Sequence, residues 1–125
     1  MTTIAPVDKI TIVMPFSTLP LRSNQRLHWH KKAELTRQIR YMAKLAAYGF
    51  PEITGPVAVT LIWTVPDKRR RDVGAGSPTL KAAIDGIVDA KVLPADDSTV
   101  VTEERCRIEY RKGESAVRIE IEGHG

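Results

Sequence analysis

Cysteine is nearly absent from this chain. Cys106 is the single one in 125 residues, so no internal disulfide can form, and a reducing cytoplasm, that of a bacterial or phage-infected cell, is the expected setting. No apolar run approaches the roughly 20 residues that a membrane-spanning helix needs. The opening MTTIAPVDK has no basic stretch leading into an apolar one, so no secretion signal is expected. Histidine is scarce as well. His28 and His30 stand two apart in "HWH", and the third, His124, lies near the end. A borderline metal such as zinc wants three or four ligands, so "HWH" reads as an aromatic-polar entrance to a helix. Internal repeats and low-complexity tracts are absent too. What remains is 42% hydrophobic and 27% charged, the composition of an ordinary soluble globular protein. The length predicts a single domain, 1–125, that buries roughly two thirds of its unfolded surface without staples.

The net charge of +4 is modest, but it is unevenly spread. Arg22, Arg26, Lys31, Lys32, Arg37, Arg40 and Lys44 face a single acid, Glu34, and Lys68, Arg69, Arg70 and Arg71 follow later. From Ala95 onward there are eight acids against five bases. A basic portion beside an acidic one suggests a polyanionic partner; solvated helix faces with no partner are the plainer alternative.

"KITIVM", from Lys9 to Met14, alternates between prolines and reads as a strand. A long loop, "PFSTLPLRSNQRLHWH", follows. From about Lys31 to Tyr48 the pattern is helical, with Leu35, Ile39, Met42 or Ala43, and Ala46 on one face, and Gly49 and Pro51 ending it. "VAVTLIWTV", Val57 to Val65, is apolar on both faces, as a central strand should be. A second helix is predicted from about Pro78 to Ala90, with Ser77 as N-cap and Leu80, Ala83, Ile84, Ile87 and Val88 as its core stripe. Then "VVTEERCRIEYR" and "AVRIEIE" alternate around "KGES", which reads as a hairpin with one wet face. Cys106, on the apolar side of its strand, reads as core and not as a nucleophile. The order β-α-β-α-β-β predicts an α/β (α+β) fold: a small mixed sheet with two main helices packed on it.

"RRRDVGAGSPTLK", residues 69 to 81, raises the functional question. Two glycines one residue apart, before a helix, invite comparison with phosphate-cradling loops. A dinucleotide fingerprint, however, needs a third glycine where this chain has Thr79, and needs to follow its strand directly. A Walker loop needs a lysine right after a glycine, and Lys81 has none before it. No nucleotide cofactor is expected. The carboxylates are more suggestive. Asp72 follows the arginines and Asp96-Asp97 follows the second helix, both at element ends that loops can bring together. Hard ions such as Mg²⁺ prefer a few carboxylate oxygens with water and phosphate, and arginines nearby suit a phosphodiester. The plainer readings are a salt bridge from Asp72 to its own arginines and a solvated turn at Asp96-Asp97. Lys81, Asp85 and Asp89 share one helix face, which reads as a surface stripe for the two acids, while Lys81 can reach toward Asp72.

The stretch "RRRD…PTLKAAIDGIVDAKVLPADDSTVV" with its alternating strands, and the earlier "PLRSNQRLHW", resemble the RusA family of Holliday-junction resolvases, small homodimeric endonucleases of bacteria and their phages. The likeness spans roughly Ile10 to Ile121. In that family an Asp-x-Asp-Asn motif follows the arginines. Its two aspartates, with the second aspartate of an Asp-Asp turn, bind Mg²⁺, and a helix lysine assists. The resemblance implies Asp72 and Asp97 as ligands, Asp96 beside them, and Lys81 on the scissile phosphate. It leaves Gly74 where the second aspartate should stand and Ala75 where the asparagine should. Arg69, Arg70 and Arg71, with Lys68, Asn24, Arg26, Lys31, Lys32, Arg37 and Arg40, are expected to hold DNA. The implied activity is metal-assisted paired nicking of four-way junctions by a homodimer, weakened by the lost carboxylate. Two alternatives stay open: a family member that binds branched DNA without cutting it, and a nucleotide module resting on "GAG" alone.

Overall fold

The computed structural model describes residues 9–123; His124 and the opening residues read for a secretion signal lie outside that range. The elements run β1 (Lys9–Val13), α1 (Trp29–Ala47), β2 (Val57–Val65), a 3₁₀ turn (Val73–Gly76), α2 (Ser77–Asp89), β3 (Val101–Tyr110) and β4 (Ala116–Gly123). Apart from that added turn, the order is β-α-β-α-β-β, an α+β fold with a mixed four-stranded sheet and two helices. No helix among the described residues is long and apolar enough to cross a membrane.

The sheet order is β1-β4-β2-β3, with β4 antiparallel to β1 and β2, and β3 parallel to β2. The expected hairpin of β3 with β4 does not form, because β2 lies between them. Their alternation assigns faces correctly, but alternation says nothing about neighbours. β2 is the strand with buried residues on both faces, and only a central position gives such a strand partners on both edges. The chain therefore passes from β3 to β4 across the end of β2, where the Arg111 and Gly113 amides donate to the carbonyls of Val65 and Pro66 (3.0 and 3.2 Å).

Both helices pack on one face of the sheet. Ile12, Val59, Leu61, Ile119 and Ile121 meet Ile39 and Ala43 of α1 and Leu80, Ile84 and Ile87 of α2 in one core. Each large aliphatic side chain buried there is worth about 1.5–3 kcal/mol. The helices touch at Gly86, where an added Cβ would stand 2.1 Å from the Arg40 carbonyl; only glycine permits that approach. No helix among the described residues covers the other face. There Ile62, fully buried, pairs across the sheet with Arg118 and Arg107, whose aliphatic stems can cover it while their charged ends stay wet. Arg118 reaches Glu109 (3.1 Å) and Glu120 (3.3 Å). Arg118 and Arg111 together hold Glu109 down to about 2. Much of the acidic half of the sequence is thus neutralised within the sheet.

Two helix boundaries differ from expectation. α1 begins at Trp29, with the His30 amide donating to Nδ1 of His28 (3.2 Å), so "HWH" opens a helix. Ser77 is not an N-cap: it already has helical dihedrals, and Gly76 before it makes no side-chain cap. The 3₁₀ turn runs straight into α2, so carbonyls one turn back satisfy the first amides, and capping passes to Asp72, whose Oδ1 accepts from Gly74 N (3.0 Å).

Candidate nucleic-acid interface and acidic concavity

β2 ends at Pro66, and Asp67 organises the arginines that follow. Its carboxylate accepts from the Arg69 amide (3.0 Å) and from the Arg71 guanidinium (2.9 Å). These bonds, the amide's first, hold Asp67 below the usual carboxylate range. Arg71 also donates to the carbonyls of Asp67 and Arg69 and stacks over Trp63, 5.7 Å from the ring centre. The expected partner, Asp72, is not used. Arg71 is therefore a strut, and Lys68 lies over Tyr110 (5.1 Å). Arg22, Arg69, Arg70 and Arg71 line one groove of about 530 Å³, with Trp63 also in its wall. Arg22 and Arg70 make no ion pair among the described residues, and the Arg69–Asp67 contact (3.6 Å) is exposed, where screening leaves it weak.

The 20–26 loop docks against the 3₁₀ turn. Ser23 N donates to Ala75 O (3.2 Å), and the buried Thr79 hydroxyl donates to Leu21 O (2.6 Å). Asn24, next to Ser23, is thereby held near the turn, and both Asn24 and Arg26 are exposed. Within the turn the Gly74 amide is taken by Asp72 Oδ1 and the Ala75 amide by Asp72 O. Two amides that a phosphate-cradling loop would present are used internally. Gly74 has room for a side chain, its nearest neighbour to an added Cβ being Asp72 Oδ1 at 3.5 Å, whereas Ala75 is buried.

A second, smaller concavity of about 160 Å³ is lined by Lys81, Ile84, Asp85, Asp96 and Glu104. Lys81 Nζ stands 3.6 Å from Glu104. Burial, then the hydrogen bond and charge of Asp96, push the Asp85 carboxyl above its ordinary value. Asp89, on the same helix face, turns to α1 instead, where Arg40 grips it with two bonds (2.6 and 2.9 Å) that lower the Asp89 carboxyl. Arg40, expected on DNA, is thus committed within the fold.

The expected site residues are only partly brought together. Lys81 and Asp96 share the concavity. Asp97 caps the turn before β3: its carboxylate accepts from the Thr99 amide (2.9 Å) and from the Thr99 hydroxyl, which holds it below the ordinary value. Asp72 caps the other turn. Among the described residues, no three Asp, Glu, His or Cys side chains stand close enough to hold a metal ion. The carboxylates present do not fit the three-aspartate Mg²⁺ site that the resemblance implies. Asp85 was placed on one helix face with Lys81 but read as a surface stripe, and Glu104 was not foreseen beside Lys81. The four-residue spacing from Lys81 pointed at Asp85, but nothing local pointed at Glu104, whose position follows from β3 lying parallel to β2. Trp63 and Asp67 were missed at the groove too, although Asp67 stands only two and four residues before the arginines it holds, a local spacing the sequence carries. Compared with protein-family models and with curated proteins, the chain matches none.

Proposed function

We propose that this chain is a RusA-like protein that binds branched DNA, four-way junctions above all, as a homodimer, with a cleavage site weakened at residues 72–76. The observation that carries the reading is the groove lined by Arg22, Arg69, Arg70 and Arg71, beside which the 20–26 loop is tied to the 72–76 turn. Guanidinium groups bind phosphate with paired, charge-assisted hydrogen bonds. The supporting residues are chiefly Arg22, Arg69 and Arg70, with Asn24 and Arg26 at the margin.

The second reading is the Mg²⁺-dependent nicking that the resemblance implies; its support is limited to Lys81 and Asp96 lining one concavity, since no metal-holding group forms among the described residues. A gel assay on a synthetic four-way junction and a matched linear duplex, with and without Mg²⁺, separates the readings. Junction-selective binding without nicks is the expected outcome; binding to neither DNA refutes the proposal. Paired nicks only in Mg²⁺ establish the second reading. Gly74→Asp sharpens the assay, because the site has room for the side chain and Ala75 need not change. An increase in nicking of about 10-fold or more is expected if the missing carboxylate is the defect.

A further inference from the structure

The outward face of α1 carries a second set of nucleic-acid features, separate from the arginine groove. Tyr41, Leu45 and Tyr48 are 60%, 57% and 80% exposed, although large apolar side chains on a packed helix usually point inward. Tyr41 and Leu45 lie in α1 and Tyr48 is the residue just past its end; at spacings of four and three they fall on the side opposite the buried Ile39, Ala43 and Ala47. Arg37 and Lys44 stand among them, and neither makes an ion pair in the described residues. The one acid of the helix, Glu34, is engaged by Gln38 (3.2 Å).

We infer that this face binds unpaired DNA, with bases stacked on the rings of Tyr41 and Tyr48 and phosphates on Arg37 and Lys44; the inference rests on the DNA-binding reading above. The two rings are seven residues apart, a rise of about 10 Å, which matches about three base steps of roughly 3.4 Å. Exposed aromatics interleaved with cations are the usual means of holding single strands without reading their sequence. Charge decides against a second copy of the same face. Antiparallel pairing of two such helices would bring two copies of Arg37 and Lys44 together against only the two Glu34 carboxylates, whereas a polyanion neutralises all of the cations. A strand opened at a branch point would supply such bases beside the duplex arms held in the groove.

The test measures binding of the full chain to a fluorescent oligo(dT) strand and to a four-way junction at one salt concentration. Tyr41→Ala and Tyr48→Ala are compared with Tyr48→Phe, all at exposed positions. Each alanine variant is expected to lose about 10-fold in oligo(dT) affinity, Tyr48→Phe little, and junction affinity should change less than oligo(dT) affinity. If the junction binds but oligo(dT) does not, or if oligo(dT) affinity ignores the rings, the stacking face is overturned and the groove reading stands. If wild type binds neither DNA, the DNA reading itself fails. If the alanine variants instead shift the oligomeric state in sedimentation without changing oligo(dT) affinity, the face is an interface between copies and the inference is overturned.

Discussion

The two concavities differ in how their charges are balanced. In the arginine groove Asp67 fixes Arg71 and positions the backbone of Arg69, while Arg22 and Arg70 have no anionic partner among the described residues. In the concavity beside α2, by contrast, Lys81 faces Glu104 and two aspartates share a hydrogen bond. The groove keeps free cations on a rigid frame, which is what an external polyanion requires. The smaller concavity holds carboxylates against one another at a cost that the fold must bear. The lesson is that clustered charge marks a binding surface when its partners are missing, and a structural or latent catalytic one when they are present.

Four measurements can break or sharpen this contrast. The largest effect is expected from Gly86→Ala, which would force apart the helices that hold Arg40 against Asp89. A Cβ 2.1 Å from a backbone carbonyl cannot be accommodated by a rotamer change, and a loss of about 2–4 kcal/mol in urea unfolding is expected. Next is Arg70→Glu in the groove. Junction affinity should fall about 10- to 100-fold and the slope of log affinity against log salt should flatten by about one contact or more. Asp96→Asn should leave that affinity unchanged or raise it. Equal losses from both variants would end the contrast.

Third is Asp85→Asn. A carboxyl raised in the folded state binds its proton more tightly there than in the unfolded chain, so it favours folding below its ordinary pKa and loses that advantage as pH rises through the folded value. Above that folded value the wild type carries the strain of a charged Asp85 beside Asp96. The amide should raise the melting midpoint by about 2 °C, a gain on the order of 0.5 kcal/mol, and the difference should vanish below about pH 4. Smallest is Glu109→Gln on the open sheet face. Glu109, held to about 2 by Arg118 and Arg111, contributes stability that is present above its ordinary value and lost as pH falls through the folded one. The variant should differ from wild type by about 0.5 kcal/mol or less at pH 7, and the two should converge toward pH 2 in acid-unfolding curves.

Much of the fold was legible. β2 as a central strand, the core stripe of α2 and the end of α1 at Gly49, which has a φ of 95°, all follow from local pattern. The hairpin was misread because two alternating segments joined by a short turn look adjacent when nothing in either segment reveals a third strand between them. The site was less legible. Asp72 and Asp97 were rightly found at element ends, but their carboxylates cap their own turns, and a capping role carries no signature distinct from a ligand's. Arg40 looked like any other surface cation until α2 brought Asp89 to it.

The sequence by itself determined which residues alternate, where the helices stop, and that cations gather in one half of the chain and acids in the other, because these depend on spacing and composition alone. Only the tertiary structure decided which charges remain free. Parallel pairing of β3 with β2 carried Glu104 to Lys81, the glycine contact carried Asp89 to Arg40, and the docked loop carried Arg22 to the arginine run. A charge is neutralised by whatever lies within a few ångströms of it, and that distance is set by packing between segments far apart in the chain.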